Sequence, residues 1–124
     1  MNMPLALIIE DDPQLGQIFS ISLQGTFETE LLPDGSEALS RIAQVVPSVI
    51  VLDLHLPSYS GREILSKIHA DKRLVHTKII VSTADARQAE MLRDEVDIVL
   101  VKPVSPVQLR DLASRLLSTE KIQE

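Results

Sequence analysis

Leu5-Ala6-Leu7-Ile8-Ile9-Glu10-Asp11-Asp12 decides how this chain is read: five apolar residues in a row, then three acids. An apolar run this short fits a β-strand covered on both faces, whereas a buried helix needs a run twice as long. The acids then stand at the carboxyl end of that strand. Val49-Ile50-Val51-Leu52 repeats the design and ends on Asp53. Lys78 to Ser82 ends on Thr83, and Ile98 to Val101 ends on Lys102. Phe27 to Leu32 is a fifth strand, less apolar and therefore nearer an edge of a sheet.

Helix-period stretches fill the intervals. Gln14 to about Gln24 places Leu15, Ile18, Phe19 and Ser22 on one face, with Gly25 as its stop. After the turn Pro33-Asp34-Gly35, Ser36 to Val46 points Ala38, Leu39, Ile42, Val45 and Val46 inward until Pro47 ends it. Asp53 to Ser60 reads as a loop. Arg62 to about Ala70 turns Ile64, Leu65 and Ile68 inward, and Ala86 to about Arg93 is weakly amphipathic. The last helix has Ser105 as N-cap, Pro106 at its first position and Gln108 completing a capping box. Leu109, Leu112, Ala113, Leu116 and Leu117 form its apolar face. The polar tail 118–124 is expected to fray.

Strict strand–helix alternation implies right-handed crossovers and a parallel sheet with helices on both faces. The expected fold class is α/β: a doubly wound five-stranded parallel sheet, flavodoxin-like in strand order 2-1-3-4-5, in three α/β/α layers. In that order the ligand crevice opens at the carboxyl ends of the first and third strands. The whole chain, residues 1–124, reads as one domain with its core at about 5–117.

Bulk composition narrows the function classes. Of 124 residues, 44% are apolar and 24% charged, a globular balance. Phe19, Phe27 and Tyr59 are the only aromatics, so Leu, Ile and Val build the core. The absence of cysteine excludes a disulfide scaffold, a thiol nucleophile and a zinc knuckle. A net charge of −6 argues against direct nucleic-acid binding, which rests on displacing counterions with basic residues. Met1-Asn2-Met3-Pro4 lacks the basic start and apolar core of a signal peptide, and no apolar run is long enough for a membrane span, so a cytoplasmic protein is expected.

The strand ends carry the chemistry. Two carboxylates ~4 Å apart repel by about 4 kcal/mol at an effective dielectric near 20. Glu10, Asp11 and Asp53 together cannot all stay ionised without a cation. Hard oxygen donors suit Mg²⁺, and Mn²⁺ would serve in its place. Asp53 would then offer an oxygen for attack on phosphorus, with Lys102 as a positive charge and the Thr83 hydroxyl as a neutral donor. Each residue alone has a plainer reading. Asp12 before Pro13 is chiefly a helix cap. Asp53 alone would be a loop aspartate, Thr83 an N-cap, Lys102 a solvated lysine and Pro103 a turn former. Their joint arrival on one crevice rim is what those readings leave unexplained.

Leu7-Ile8-Ile9-Glu10-Asp11-Asp12, Val51-Leu52-Asp53-Leu54-His55-Leu56-Pro57 with Gly61, Val81-Ser82-Thr83-Ala84 and Val101-Lys102-Pro103 resemble the signature blocks of two-component receiver domains (CheY-like response regulators). The resemblance runs from Leu5 to Leu117. It implies Glu10 and Asp11 as metal-binding acids, and Asp53 as phosphoacceptor and metal ligand. It implies the His55 backbone carbonyl as a further metal ligand, Thr83 as the switch hydroxyl and Lys102 as its charged partner, with Pro103 following in cis. Ala84 matches the small residue that leaves the acyl phosphate open to approach. His55 and Asp85 match the positions that tune its lifetime. Self-catalysed phosphorylation and dephosphorylation, with no separate enzymatic activity, are implied as well.

Some positions depart from that pattern. Val99 replaces the aromatic residue whose inward swing accompanies the switch, and Val104 replaces a common Phe. A haloacid-dehalogenase-type phosphatase would need a second aspartate where His55 stands. A flavodoxin would need a Ser/Thr/Gly-rich loop where Glu10-Asp11-Asp12 stands. A receiver-like binding module that works without phosphorylation remains the alternative. The partners implied are a sensor histidine kinase or histidine phosphotransfer protein, and a downstream target protein. The expected contact surface is the face of the fourth helix, fifth strand and fifth helix, which could also serve a homodimer. If these 124 residues are the full length, the chain acts without an output domain.

Overall fold

The computed structural model describes residues 3–57 and 59–123, and of 119–123 the backbone alone. Met1, Asn2, Ser58 and Glu124 lie outside the described residues, and with them part of the N-terminal signal reading, part of the Asp53 to Ser60 loop and the last residue of the tail. Five strands run β1 Leu5–Ile9, β2 Glu28–Leu32, β3 Val49–Asp53, β4 Lys78–Thr83 and β5 Ile98–Val101. All pair in parallel, in the order β2-β1-β3-β4-β5. The expected doubly wound sheet is therefore the observed one. β3 is buried at every position, as its unbroken apolar run requires.

The pleat sorts side chains between two cores. Ala6, Ile8, Val49, Val51 and Ile80 meet Phe19 and Leu23 of α1 (Pro13–Leu23) and Leu109 and Ala113 of α5 (Pro106–Gln123). Leu7, Ile9, Ile50, Leu52, Ile79 and Val81 pack on the other face. They meet Ala38 and Ile42 of α2 (Gly35–Ile42), Ile64, Leu65 and Ile68 of α3 (Gly61–Ala70) and Leu92 of α4 (Ala86–Leu92). Adjacent residues in one strand thus serve opposite cores.

Several local expectations need correction. Ile18 is 44% exposed, because the buried line of α1 runs through Gly16, Phe19 and Leu23. Gly16 lets the helix lie close on β2: a Cβ there would stand 2.6 Å from Leu31 Cδ1. α2 ends at Ile42, four residues early, and the tight turns from Gln44 and Val45 N–H back to the Arg41 carbonyl leave Val46 57% exposed. Gly25 follows α1 without a left-handed φ. A single 3₁₀ turn, Lys72–Leu74, was not foreseen. α3 begins with a full capping box between Ser60 and Glu63. At α5 the Gln108 N–H donates to Ser105 Oγ at 3.3 Å, the side-chain-to-backbone half of the expected box. α5 runs on to Gln123 through the stretch expected to fray, since no Gly or Pro interrupts it after Pro106.

β5 is a four-residue edge strand and relies on Asp97 for its register. Asp97 N–H donates to the Ile79 carbonyl at 3.1 Å, and its Oδ2 accepts the Ile79 N–H at 2.8 Å. Asp97→Ala is expected to strand that N–H and lower stability by about 1–3 kcal/mol, while Asp97→Asn, which keeps an acceptor, retains most of it. Urea midpoints of the two variants check this.

Candidate functional site: an acidic crevice at the carboxyl edge of the sheet

β1 and β3 are neighbours, so the residues that end them are brought side by side. Glu10 follows β1 directly, its N–H donating to the Leu32 carbonyl at 3.2 Å. Asp53 closes β3, and the next residue still belongs to the ladder: Leu54 N–H donates to the Ser82 carbonyl at 3.0 Å. The main chain at both residues is therefore fixed by the sheet, and each residue is only 2% exposed. Asp11 lies on the solvent side. One oxygen from each of Glu10, Asp11 and Asp53 falls within 4.8 Å of the other two, close enough to share one metal ion.

The two buried acids are partnered unequally. Asp53 Oδ1 accepts the His55 N–H at 3.0 Å, and Oδ2 faces Lys102 Nζ at 3.1 Å. Glu10 Oε2 accepts the Asp12 N–H at 3.2 Å. Glu10 Oε1 is buried without a hydrogen-bond partner, and Lys102 Nζ stands 3.9 Å away. Burial, and then the Asp53 carboxylate beside it, push the Glu10 carboxyl up from its ordinary 4.5 to about 7.

The remaining expected residues converge on the same edge. Thr83 ends β4 and is fully buried. It is not the N-cap of α4. That cap is Asp85, whose Oδ1 accepts from Arg87 and Gln88 N–H while its own N–H donates to Thr83 Oγ1 at 3.0 Å. Lys102 follows β5, held by its N–H on the Thr83 carbonyl at 2.8 Å, and the Lys102–Pro103 peptide is cis. Asp12 caps α1, accepting from Gln14 and Leu15 N–H, as read from the sequence. Val99 is partly buried and packs on the α2–α3–α4 side.

Two features escaped the sequence reading. The His55 ring reaches across the crevice, placing Nε2 3.4 Å from Thr83 Oγ1. Gly61, at the start of α3, lies against the backbone that carries Asp53: its N–H donates to the Leu54 carbonyl at 2.9 Å, and a Cβ on it would stand 2.5 Å from Leu54 Cα. Hydrophobic periodicity signals neither, because one is a side-chain rotamer and the other the absence of a side chain.

A family profile described as the response regulator receiver domain matches residues 6–114. The chain belongs to the response regulator receiver family. This receiver domain is 30% identical to the DNA-binding response regulator MtrA of Mycolicibacterium smegmatis, over 83% of the chain and 46% of MtrA. It is 28% identical to the sensor histidine kinase TmoS of Ectopseudomonas mendocina, over 94% of the chain and 12% of that kinase. The chain thus spans less than half the length of these curated relatives. Among solved structures, the BeF3-activated DrrB receiver domain superposes with a TM-score of 0.84 at 26% identity, covering 94% of this chain and 98% of that one. CheY4, the chemotaxis response regulator of Vibrio cholerae, gives 0.81 at 25% identity, covering 93% and 99%. No helix among the described residues of this receiver domain is long and apolar enough to cross a membrane.

Proposed function

We propose that this receiver domain accepts a phosphoryl group on Asp53 from a sensor histidine kinase or histidine phosphotransfer protein, and that a protein-interaction surface switches in response. The observation that carries the reading is the pairing at the end of β3: a buried carboxylate with one oxygen fixed by His55 N–H and the other 3.1 Å from Lys102 Nζ, beside Glu10, whose Oε1 has no hydrogen-bond partner. An orphaned buried oxygen among three converging carboxyl groups fits a divalent cation, Mg²⁺ or Mn²⁺. Glu10, Asp11, Asp53 and the His55 carbonyl would hold it. When bound, such an ion offsets negative charge on the phosphoryl oxygens.

The protein's own groups account for the rest. An Asp53 oxygen forms the bond to phosphorus as the bond from phosphorus to the donor's leaving atom breaks. The leaving atom keeps the electron pair and takes up a proton. Lys102 stays beside the Asp53 carboxyl and balances charge added there, and the Thr83 hydroxyl supplies a neutral donor. Ala84 leaves the crevice free of a bulky side chain. Met91 on α4, Val101 on β5 and Val107 on α5 are exposed, so the α4–β5–α5 face offers apolar contact to a target protein or a second copy.

A receiver and a phosphatase differ in turnover. With Mg²⁺ and a small acyl-phosphate donor, one phosphoryl group per chain is expected, released slowly, with no hydrolysis of a phosphomonoester. Continuous release of phosphate from a phosphomonoester would contradict the reading.

A further inference from the structure

His55 meets the site twice. Its backbone N–H holds Asp53 Oδ1 at 3.0 Å, and its ring Nε2 lies 3.4 Å from Thr83 Oγ1. Thr83 is buried, and Oγ1 already accepts the Asp85 N–H at 3.0 Å. A threonine hydroxyl has a single proton to give. With one lone pair engaged by Asp85, the hydroxyl can donate that proton to His55 Nε2 when Nε2 carries none of its own. It cannot serve His55 and a phosphoryl oxygen on Asp53 together.

We propose that the His55 side chain is a positioning residue that latches the Thr83 hydroxyl in the resting state, so that phosphorylation of Asp53 must break the His55–Thr83 hydrogen bond before Thr83 can donate to the phosphoryl group. The latch rests on the phosphoacceptor reading for its consequence, but not for its existence. It requires the imidazole tautomer with its proton on Nδ1, leaving Nε2 as acceptor. His55 is exposed, so replacing its ring removes the acceptor without opening a core cavity, and the backbone contact to Asp53 stays. A contact made only in the resting state opposes the active one by its own strength.

Two measurements test this. The first is the affinity for beryllium fluoride with Mg²⁺, a phosphoryl mimic, in the wild type, His55→Leu, Thr83→Val and the double variant. Loss of one hydrogen bond of ordinary strength predicts that His55→Leu binds about threefold to tenfold more tightly than wild type. The same change in the Thr83→Val background should have no effect. Equal affinities of wild type and His55→Leu, or an equal gain in both backgrounds, would overturn the latch. If no protein in the set, wild type included, binds the mimic, the phosphoacceptor reading fails instead. The second measurement needs no mimic: the imidazole ¹⁵N spectrum of metal-free protein. Nε2 should show an accepted hydrogen bond in the wild type and lose it in Thr83→Val. Identical Nε2 signals in the two proteins would show that no latch exists.

Discussion

Glu10→Gln is expected to raise the thermal midpoint of the metal-free protein and to abolish its further rise with Mg²⁺. Glu10 Oε1 is buried, has no hydrogen-bond partner and lies beside the Asp53 carboxylate. Neutralising the side chain at constant shape relieves a desolvation penalty of about 1–2 kcal/mol, or roughly 5 °C for a domain of this size. The gain depends on pH, with a definite sign. Glu10 titrates at about 7 in the folded chain against an ordinary 4.5, so between those values the native state binds the proton more tightly than the unfolded state. Its contribution is fully present below about pH 4.5 and is lost as pH rises through about 7. The variant should therefore differ little from wild type at pH 4.5 and gain most at pH 8. Mg²⁺ should reverse the order at pH 8, stabilising the wild type by linkage and leaving the variant unmoved. Scanning calorimetry of both proteins at the two pH values, with and without Mg²⁺, reads all eight midpoints. A variant that is less stable than wild type at pH 8 without metal would contradict the account of Glu10.

Gly61→Ala is expected to be the most damaging single-methyl change at the site. The added Cβ would meet Leu54 Cα at 2.5 Å, the Leu54 carbonyl oxygen at 2.6 Å and its carbonyl carbon at 2.8 Å. These are backbone atoms adjoining Asp53, so relief requires moving the end of β3 or the start of α3. Overpacking against a fixed backbone predicts a loss of about 2–4 kcal/mol, lowering the thermal midpoint by roughly 10 °C or more. Phosphoryl acceptance should fall with it, because Leu54 N–H on the Ser82 carbonyl is part of what positions Asp53. Gly25→Ala is the contrast. A Cβ there meets nothing within 4 Å, and its φ is not left-handed, so the change should be neutral or stabilising by about 0.4–1 kcal/mol.

The contrast between these two glycines shows where sequence reading stops. The sheet was legible because four of its five strands are built on short apolar runs, and because Ile9–Glu10, Leu52–Asp53 and Val101–Lys102 mark where polarity begins. Topology then brings those junctions to one edge, so the acids and the lysine could be grouped before any coordinates. Helix faces were harder. In α1, Gly16 lies against the Leu31 side chain of β2, yet an apolar pattern gives glycine no weight and favours Ile18 instead. In α2, the pattern Val45-Val46 continues past the real end at Ile42, because the stop is a local turn rather than a change in polarity. The His55–Thr83 contact depends on a rotamer reaching from the loop after β3 to the end of β4, and no one-dimensional pattern encodes that.

Intact-mass analysis after incubation with a small acyl-phosphate donor tests most directly whether the acids at this rim gather a cation and leave Asp53 as the nucleophile. With Mg²⁺ the wild type should gain the mass of a single phosphoryl group. It should gain none once the metal is chelated, and Asp53→Asn should gain none in either condition. An unmodified wild type in the presence of Mg²⁺, or a modified Asp53→Asn, would contradict the assignment.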